Sequence, residues 1–198
     1  MIQSLQPAAL DQLFRNARTY NGWLPDAIPD DLVRELHEIV KWGATSANGN
    51  PARFVWVRTP EGKATLASMA AEANRPKILS APLTVIIGHD LNFSDALPRL
   101  LPSTHVEKMQ NLFANAEVAE ITAMRNGSLQ GAYLMLAARA LGLDCGPMSG
   151  FDNSAVDSAF FADTRIRSNF ICCLGHGDPA SLHPRLPRLS FEEANRFA

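Results

Sequence analysis

Apolar residues along this chain recur with two different periods. Leu10, Leu13 and Phe14 share one helical face and predict a first helix over residues 7–17. A turn-rich stretch, Thr19-Tyr20-Asn21-Gly22-Trp23, follows it. Pro29-Asp30-Asp31 is a helix start signal, and Leu32, Leu36, Ile39 and Val40 repeat at helical spacing up to a stop at Gly43. A polar loop over residues 45–51 leads into residues 53–58, whose β-branched and aromatic content predicts a strand. Residues 62–73 predict a helix. Residues 83–88 form a nearly continuous apolar run, as expected of a strand buried on both faces, and residues 169–174 read the same way. Residues 90–104, broken by Pro98 and Pro102, predict no element. Residues 107–141 predict a helix in two pieces with Gly142 as its C-cap. The part over residues 127–138 is apolar nearly all round, which places it in the centre of the protein or in an interface. Asp152 or Asn153 caps a short helix to Phe160, and Ser190-Phe191-Glu192-Glu193 is a capping-box sequence that opens a last helix. Strands separated by long helical stretches predict an α+β fold.

Composition narrows the class. With 198 residues, 46% hydrophobic and 19% charged, the chain suits one domain over residues 1–198 and can bury a core without disulfides or a structural metal. That apolar fraction excludes intrinsic disorder. Lys plus Arg is 18 against 20 for Asp plus Glu, so no basic excess exists to neutralise a nucleic acid backbone. Charge-free stretches such as residues 126–138 fall short of the ~20 residues a helix needs to cross a bilayer. Met1-Ile2-Gln3-Ser4-Leu5-Gln6 has neither the basic nor the apolar region of a signal peptide. Cys145, Cys172 and Cys173 follow no framework spacing and read as reduced thiols of a cytoplasmic protein.

The chemistry-bearing residues are sparse. The five histidines lack metal-ligand spacing and no Cys-x-x-Cys occurs, so no metal site is expected. Met148-Ser149-Gly150 is not a nucleophile elbow, because Pro147 stands two residues before Ser149. Cys172 and Cys173 lie in an apolar strand, where a thiol behaves as a small hydrophobe. Arg18 can fork two hydrogen bonds to a phosphate, Thr19 can add a hydroxyl, and Arg185 sits between prolines that stiffen it. From the residues alone, either arginine fits a solvated surface charge better. No dinucleotide-binding or Walker glycine motif is present. The loop over residues 45–51 offers many donors and acceptors to the edge of a flat heterocycle, or is an ordinary turn. Residues 145–151 carry glycines that let main-chain N–H groups approach a ligand, or form a turn.

Four segments taken together resemble the FMN-dependent nitroreductase family, in particular its short branch of malonic semialdehyde reductases and NAD(P)H nitroreductases. They are Ala17-Arg18-Thr19-Tyr20-Asn21-Gly22-Trp23, the run from Trp42 through Thr45-Ser46-Ala47-Asn48 to Pro51-Ala52-Arg53, the run from Ala140 to Asp152, and the closing run from Arg185 to Ala194. The resemblance covers nearly the whole chain and is weakest over residues 90–115. It implies a mostly antiparallel central sheet flanked by helices, with a long buried helix at a homodimer interface and FMN sites made by both chains. Arg18, Thr19 and Arg185 would meet the FMN phosphate and ribityl end, and Asn21, Asn74 and Lys77 the pyrimidine ring. Lys77 would stabilise the negative charge of the reduced ring. Thr45, Ser46 and Asn48 would come from the partner, while Pro147, Met148, Ser149 and Gly150 would line the other face. The chain departs from the family pattern at Ala17, where a basic residue or Arg is usual, at Asn50, where Gln is usual, and at His183, where some relatives carry Lys.

The implied activity is ping-pong hydride transfer from NADH or NADPH through the flavin to a small-molecule acceptor, such as malonic semialdehyde, a nitro compound or a quinone. Two other readings stand beside it. One is a flavin-binding or flavin-scavenging protein without reductase turnover, and the other a thiol enzyme using Cys145. Lys77 itself also fits a solvent-exposed lysine at a helix end.

Overall fold

A computed structural model describes residues 3–198; Met1 and Ile2, the start of the stretch read as lacking a signal peptide, lie outside the described residues. Helix α1 (Pro7–Leu10) starts with a proline where no intrahelical donor is needed, and it runs on as a π turn over Asp11–Arg15. The helical stretch thus ends two residues short of the expected 17, and Phe14 points outward. In α2 (Asp30–Val40), Leu36 and Val40 are buried while Ile39 sits at the exposed margin of the apolar face. Strand β1 (Ala52–Val57) follows the polar loop. The helix expected over residues 62–73 is instead α3 (Pro60–Ser68), started by Thr59, whose hydroxyl accepts the Gly62 N–H. It stops there because the chain turns at Ala70 to pair with Phe151. A single turn over Glu72–Asn74 then leads into α4 (Arg75–Ser80).

Strand β2 (Leu83–Asp90) runs two residues beyond its expected end. The stretch that predicted no element contains a turn over Phe93–Ala96 and α5 (Leu97–Leu100), both built around buried Phe93 and Leu97. The two-piece helix is α6 (Ser103–Phe113), which begins four residues before the expected 107, and α7 (Ala116–Ala140). Asn115 separates the pieces and caps α7 by accepting the N–H groups of Glu117 and Val118. Gly142, at φ +82°, reverses the chain after α7 in the left-handed region that suits glycine. Strand β3 (Asp144–Met148) takes in residues that also read as a turn. Next come α8 (Asn153–Phe160), capped by Asp152, and β4 (Ile166–Gly175), longer at both ends than the expected 169–174. The final α9 (Phe191–Ala194) carries the complete Ser190–Glu193 capping box.

The four strands form one sheet in the order β1-β2-β4-β3, antiparallel at every pairing. Alternation along the central strands divides the core. Val85, Ile87, Cys172 and Leu174 face α2 and α7, where they meet Leu36, Val40, Leu134 and Ala138. Ile86, Ile171 and Cys173 face the opposite side, against Leu66, Ile78, Val156 and Phe161. Helices therefore cover both faces, which is why β2 and β4 read as continuous apolar runs. A third cluster, built on Phe93, Leu97, Phe113, Ala119 and Ala123, anchors α5 and α6 to the start of α7.

Helix α7 lies close against the sheet at its glycines. A Cβ on Gly131 would come within 2.4 Å of Phe170 Cζ and 3.4 Å of Ile87 Cγ2. Gly131→Ala would gain roughly 1 kcal/mol of helix propensity but force the Phe170 ring to move, an overpacking cost of about 1–3 kcal/mol. The net expectation is a lower urea midpoint; an unchanged or higher midpoint would show that the helix can back away from the sheet.

Candidate functional site

The segment after the π turn is threaded along the free edge of β3. Thr19 bridges Cys145 in parallel, and the Tyr20 N–H donates to the Cys145 carbonyl at 3.2 Å. Further along, Trp23 bridges Gly177, and the Leu24 N–H donates to His176 O at 2.8 Å. This places Arg18, Thr19 and Asn21 beside the chain that leaves β4. The Arg18 guanidinium donates to the His183 carbonyl, and Arg185 returns the contact to Ala17 O at 3.1 Å. The Asn21 amide donates to Ser181 O at 3.4 Å. His183 thus enters the site through its main-chain carbonyl.

The far end of β3 meets the α3–α4 connection. The Gly150 carbonyl accepts from the Ala71 N–H at 2.9 Å and from the Asn74 amide at 3.1 Å. Pro147 and Met148 are half-buried in the strand, whereas Ser149 and Gly150 are exposed beyond it. Pro147 is tolerated because β3 is an edge strand. Lys77 is half-buried in α4, directly over β4, where its carbonyl accepts from the Cys173 thiol at 3.6 Å. Arg18, Lys77 and Arg185 form no ion pair with a carboxylate among the described residues. A groove of about 500 Å³, lined by residues including Arg75, Gly150 and Phe151, opens beside Asn74.

Thr45, Ser46 and Asn48 lie elsewhere. They precede β1, at the opposite edge of the sheet from β3, three strand intervals or about 14 Å away. Ala47, Asn48 and Asn50 all adopt positive φ, at 51°, 49° and 44°. The Thr45 hydroxyl accepts the Asn50 N–H at 3.2 Å, and the Asn48 amide donates to Leu100 O at 3.0 Å. Asn48 also lines a cavity of about 860 Å³ on the β1 edge, together with Trp42, Phe54, Arg99 and Gln130. One protomer therefore gathers ten of the thirteen candidate residues around β3 and leaves three at the other edge; the three are the ones that the family resemblance assigns to the partner.

The thiols are chemically quiet. Cys145, Cys172 and Cys173 are all buried. A hydrogen bond with Cys145, reinforced by burial, pushes the Cys172 thiol well up, and burial pushes Cys173 up to about 11. Cys172 and Cys173 are therefore protonated at neutral pH and lack the thiolate that a nucleophile requires. Burial also raises the Tyr20 hydroxyl, with Asp144 adding to the effect and Arg18 opposing it. Among the described residues no group of His, Cys, Asp and Glu is placed to hold a metal ion, and no helix is long and apolar enough to cross a membrane.

The charge and donor set around β3 fits a flavin mononucleotide. Two guanidiniums and a hydroxyl suit a dianionic phosphate, while amides and an ammonium suit the polar edge of a flat ring. The chain is also similar to known proteins. The profile of the Nitroreductase family matches residues 15–176. A protein of Xanthomonas oryzae pv. oryzae with the provisional name NADH dehydrogenase/NAD(P)H nitroreductase is 56% identical over 197 residues, covering 100% of both chains. A protein of Stenotrophomonas maltophilia with the same name is 57% identical over 198 residues, again covering 100% of both. The solved structure of an Exiguobacterium sibiricum protein, described as a nitroreductase in complex with FMN, superposes with a TM-score of 0.86 at 20% identity and 100% coverage of both chains, a likeness of fold.

Proposed function

This chain belongs to the nitroreductase family, and from that membership we propose that it is an FMN-dependent NAD(P)H oxidoreductase that works as a homodimer. The observation that carries the reading is the set of three cations, Arg18, Lys77 and Arg185, that surround β3 without a carboxylate partner among the described residues. When bound, FMN would supply the redox chemistry, the relay of a hydride between NADH or NADPH and an acceptor.

The protein positions and tunes. Arg18 and Arg185 hold the phosphate, and Thr19 adds its hydroxyl. Asn21, Asn74 and Lys77 face the pyrimidine ring. Pro147, Met148, Ser149 and Gly150 line the other face. Lys77 offers positive charge where negative charge develops only on reduction, so its stabilisation is differential. Acceptors of the right class are small and electrophilic: an aldehyde such as malonic semialdehyde, a nitro compound or a quinone. The partner subunit brings Thr45, Ser46 and Asn48 to the flavin, since their own protomer holds them at the far sheet edge. Exposed apolar side chains support this assembly: Ile121, Met124 and Leu129 on α7 are 48%, 55% and 42% exposed, and Trp42 is 81% exposed.

Anaerobic titration of the FMN-loaded protein with NADH and NADPH tests the activity. Loss of the visible flavin bands is expected; bands that persist with both donors would favour a flavin-binding protein without turnover. Arg18→Ala removes a charge-assisted contact and should weaken FMN binding about ten- to a hundredfold, with the unfolding midpoint little changed. An unaltered FMN titration would take Arg18 out of the site. Lys77→Met should lower the flavin midpoint potential and slow reduction by NAD(P)H while oxidised FMN still binds. An unmoved potential would leave Lys77 as surface charge.

A further inference from the structure

Two buried amides on the long helix have no part in the reading so far. Asn126 and Gln130 stand one turn apart on α7 and are 2% and 5% exposed. Both reach the polar loop before β1. Asn126 Oδ1 accepts the Ser46 N–H at 2.8 Å, and its Nδ2 donates to the Thr122 carbonyl at 2.8 Å. That second contact fixes the amide orientation, so the acceptor oxygen faces the loop. Gln130 Oε1 accepts the Ala52 N–H at 2.9 Å, and Nε2 lies 3.4 Å from Asn50 Oδ1. The two amides therefore grip the loop at its first turn and at its last residue.

The grip matters because the loop between these points is strained. Three non-glycine residues sit at positive φ, a conformation that persists only when its surroundings over-determine it. With the main chain held from inside, the side chains of Ser46 and Asn48 are turned to the exposed side. The Ser46 hydroxyl has no hydrogen-bond partner among the described residues and is free to meet a ligand.

We propose that Asn126 and Gln130 are positioning residues for the flavin site: they fix the strained 45–50 loop of one protomer in the shape that completes the FMN site of the other. The inference rests on the reading of the protein as an FMN-binding homodimer. The amides face the sheet side of α7, while Ile121 and Met124 emerge from the opposite, exposed side. One helix thereby ties the proposed subunit contact to the shape of the loop.

The test uses the full-length protein and FMN itself. In Asn126→Ala, amide hydrogen exchange at residues 46–50 should accelerate about tenfold, FMN should bind about tenfold more weakly, and the bound-flavin spectrum should change shape. Asn126→Gln keeps a neutral amide with both acceptor and donor and should recover part of the FMN affinity and of the spectrum. Gln130→Ala is the second variant should Asn126→Ala fail to fold, with the same expected losses at the other end of the loop. Ser128→Ala, on the same helix but bonded to Asn169, should leave FMN affinity within about twofold of the parent. Wild-type affinity, spectrum and loop exchange in folded Asn126→Ala or Gln130→Ala would overturn the positioning role while leaving the flavin reading intact. A parent protein that binds no FMN would overturn both.

Discussion

Gly127 and Gly131 let α7 lie directly on the sheet. A Cβ at Gly127 would stand 2.8 Å from His89 Cβ, and one at Gly131 would stand 2.4 Å from the Phe170 ring, so a larger residue at either point pushes helix and sheet apart. Other features depend on this approach. It buries Leu134 and Ala138 against Val85 and Ile87, and it brings Asn126 and Gln130 within hydrogen-bonding reach of the loop before β1. Interiors are packed as densely as organic crystals, so a displaced helix transmits its shift to whatever it touches. Small residues on α7 are therefore a condition for the loop geometry as well as for the core.

The same packing explains why the candidate site divides. In a four-stranded sheet with β1 and β3 at opposite edges, residues that follow α2 and residues that follow α7 end up on different sides of the domain. Arg18, Thr19 and Asn21 are carried to the β3 side by main-chain pairing with Cys145, and Asn74 by its contact with Gly150. No comparable contact brings Thr45 or Ser46 there. In the dimer we propose, two half-sites on each protomer become two whole ones, and this gives the exposed apolar side of α7 a purpose that a monomer leaves unexplained.

Charge and burial assign different tasks to the polar groups. Arg18, Lys77 and Arg185 pair with no carboxylate among the described residues, so their charge remains available to an anion. Cys172 and Cys173 inside the sheet are desolvated and protonated, so they serve as small packing residues. Buried amides fall between: they carry no charge to desolvate, and they retain directional acceptors that can fix a strained loop.

Local pattern alone determined a good deal. The apolar runs of β2 and β4, the spacing in α2, a cap at Asp152 or Asn153 and the Ser190–Glu193 box all act over a few residues; each element forms there, with Asp152 as the cap and with β2 and β4 running beyond their apolar stretches. The candidate residues were named through segment resemblance, whereas Asn126 and Gln130 carried no signal in a helix read only as apolar. Tertiary contacts decided the rest. Gly146 and Pro147 have poor strand propensity, and residues 144–148 become a strand because β4 on one side and the Thr19 segment on the other supply pairing partners. Helix α3 ends at Ser68 because Ala70 pairs with Phe151, some eighty residues away in sequence. Which edge carries Thr45 and which carries Arg18 follows from strand order, and strand order is set by contacts between distant segments that no periodicity records.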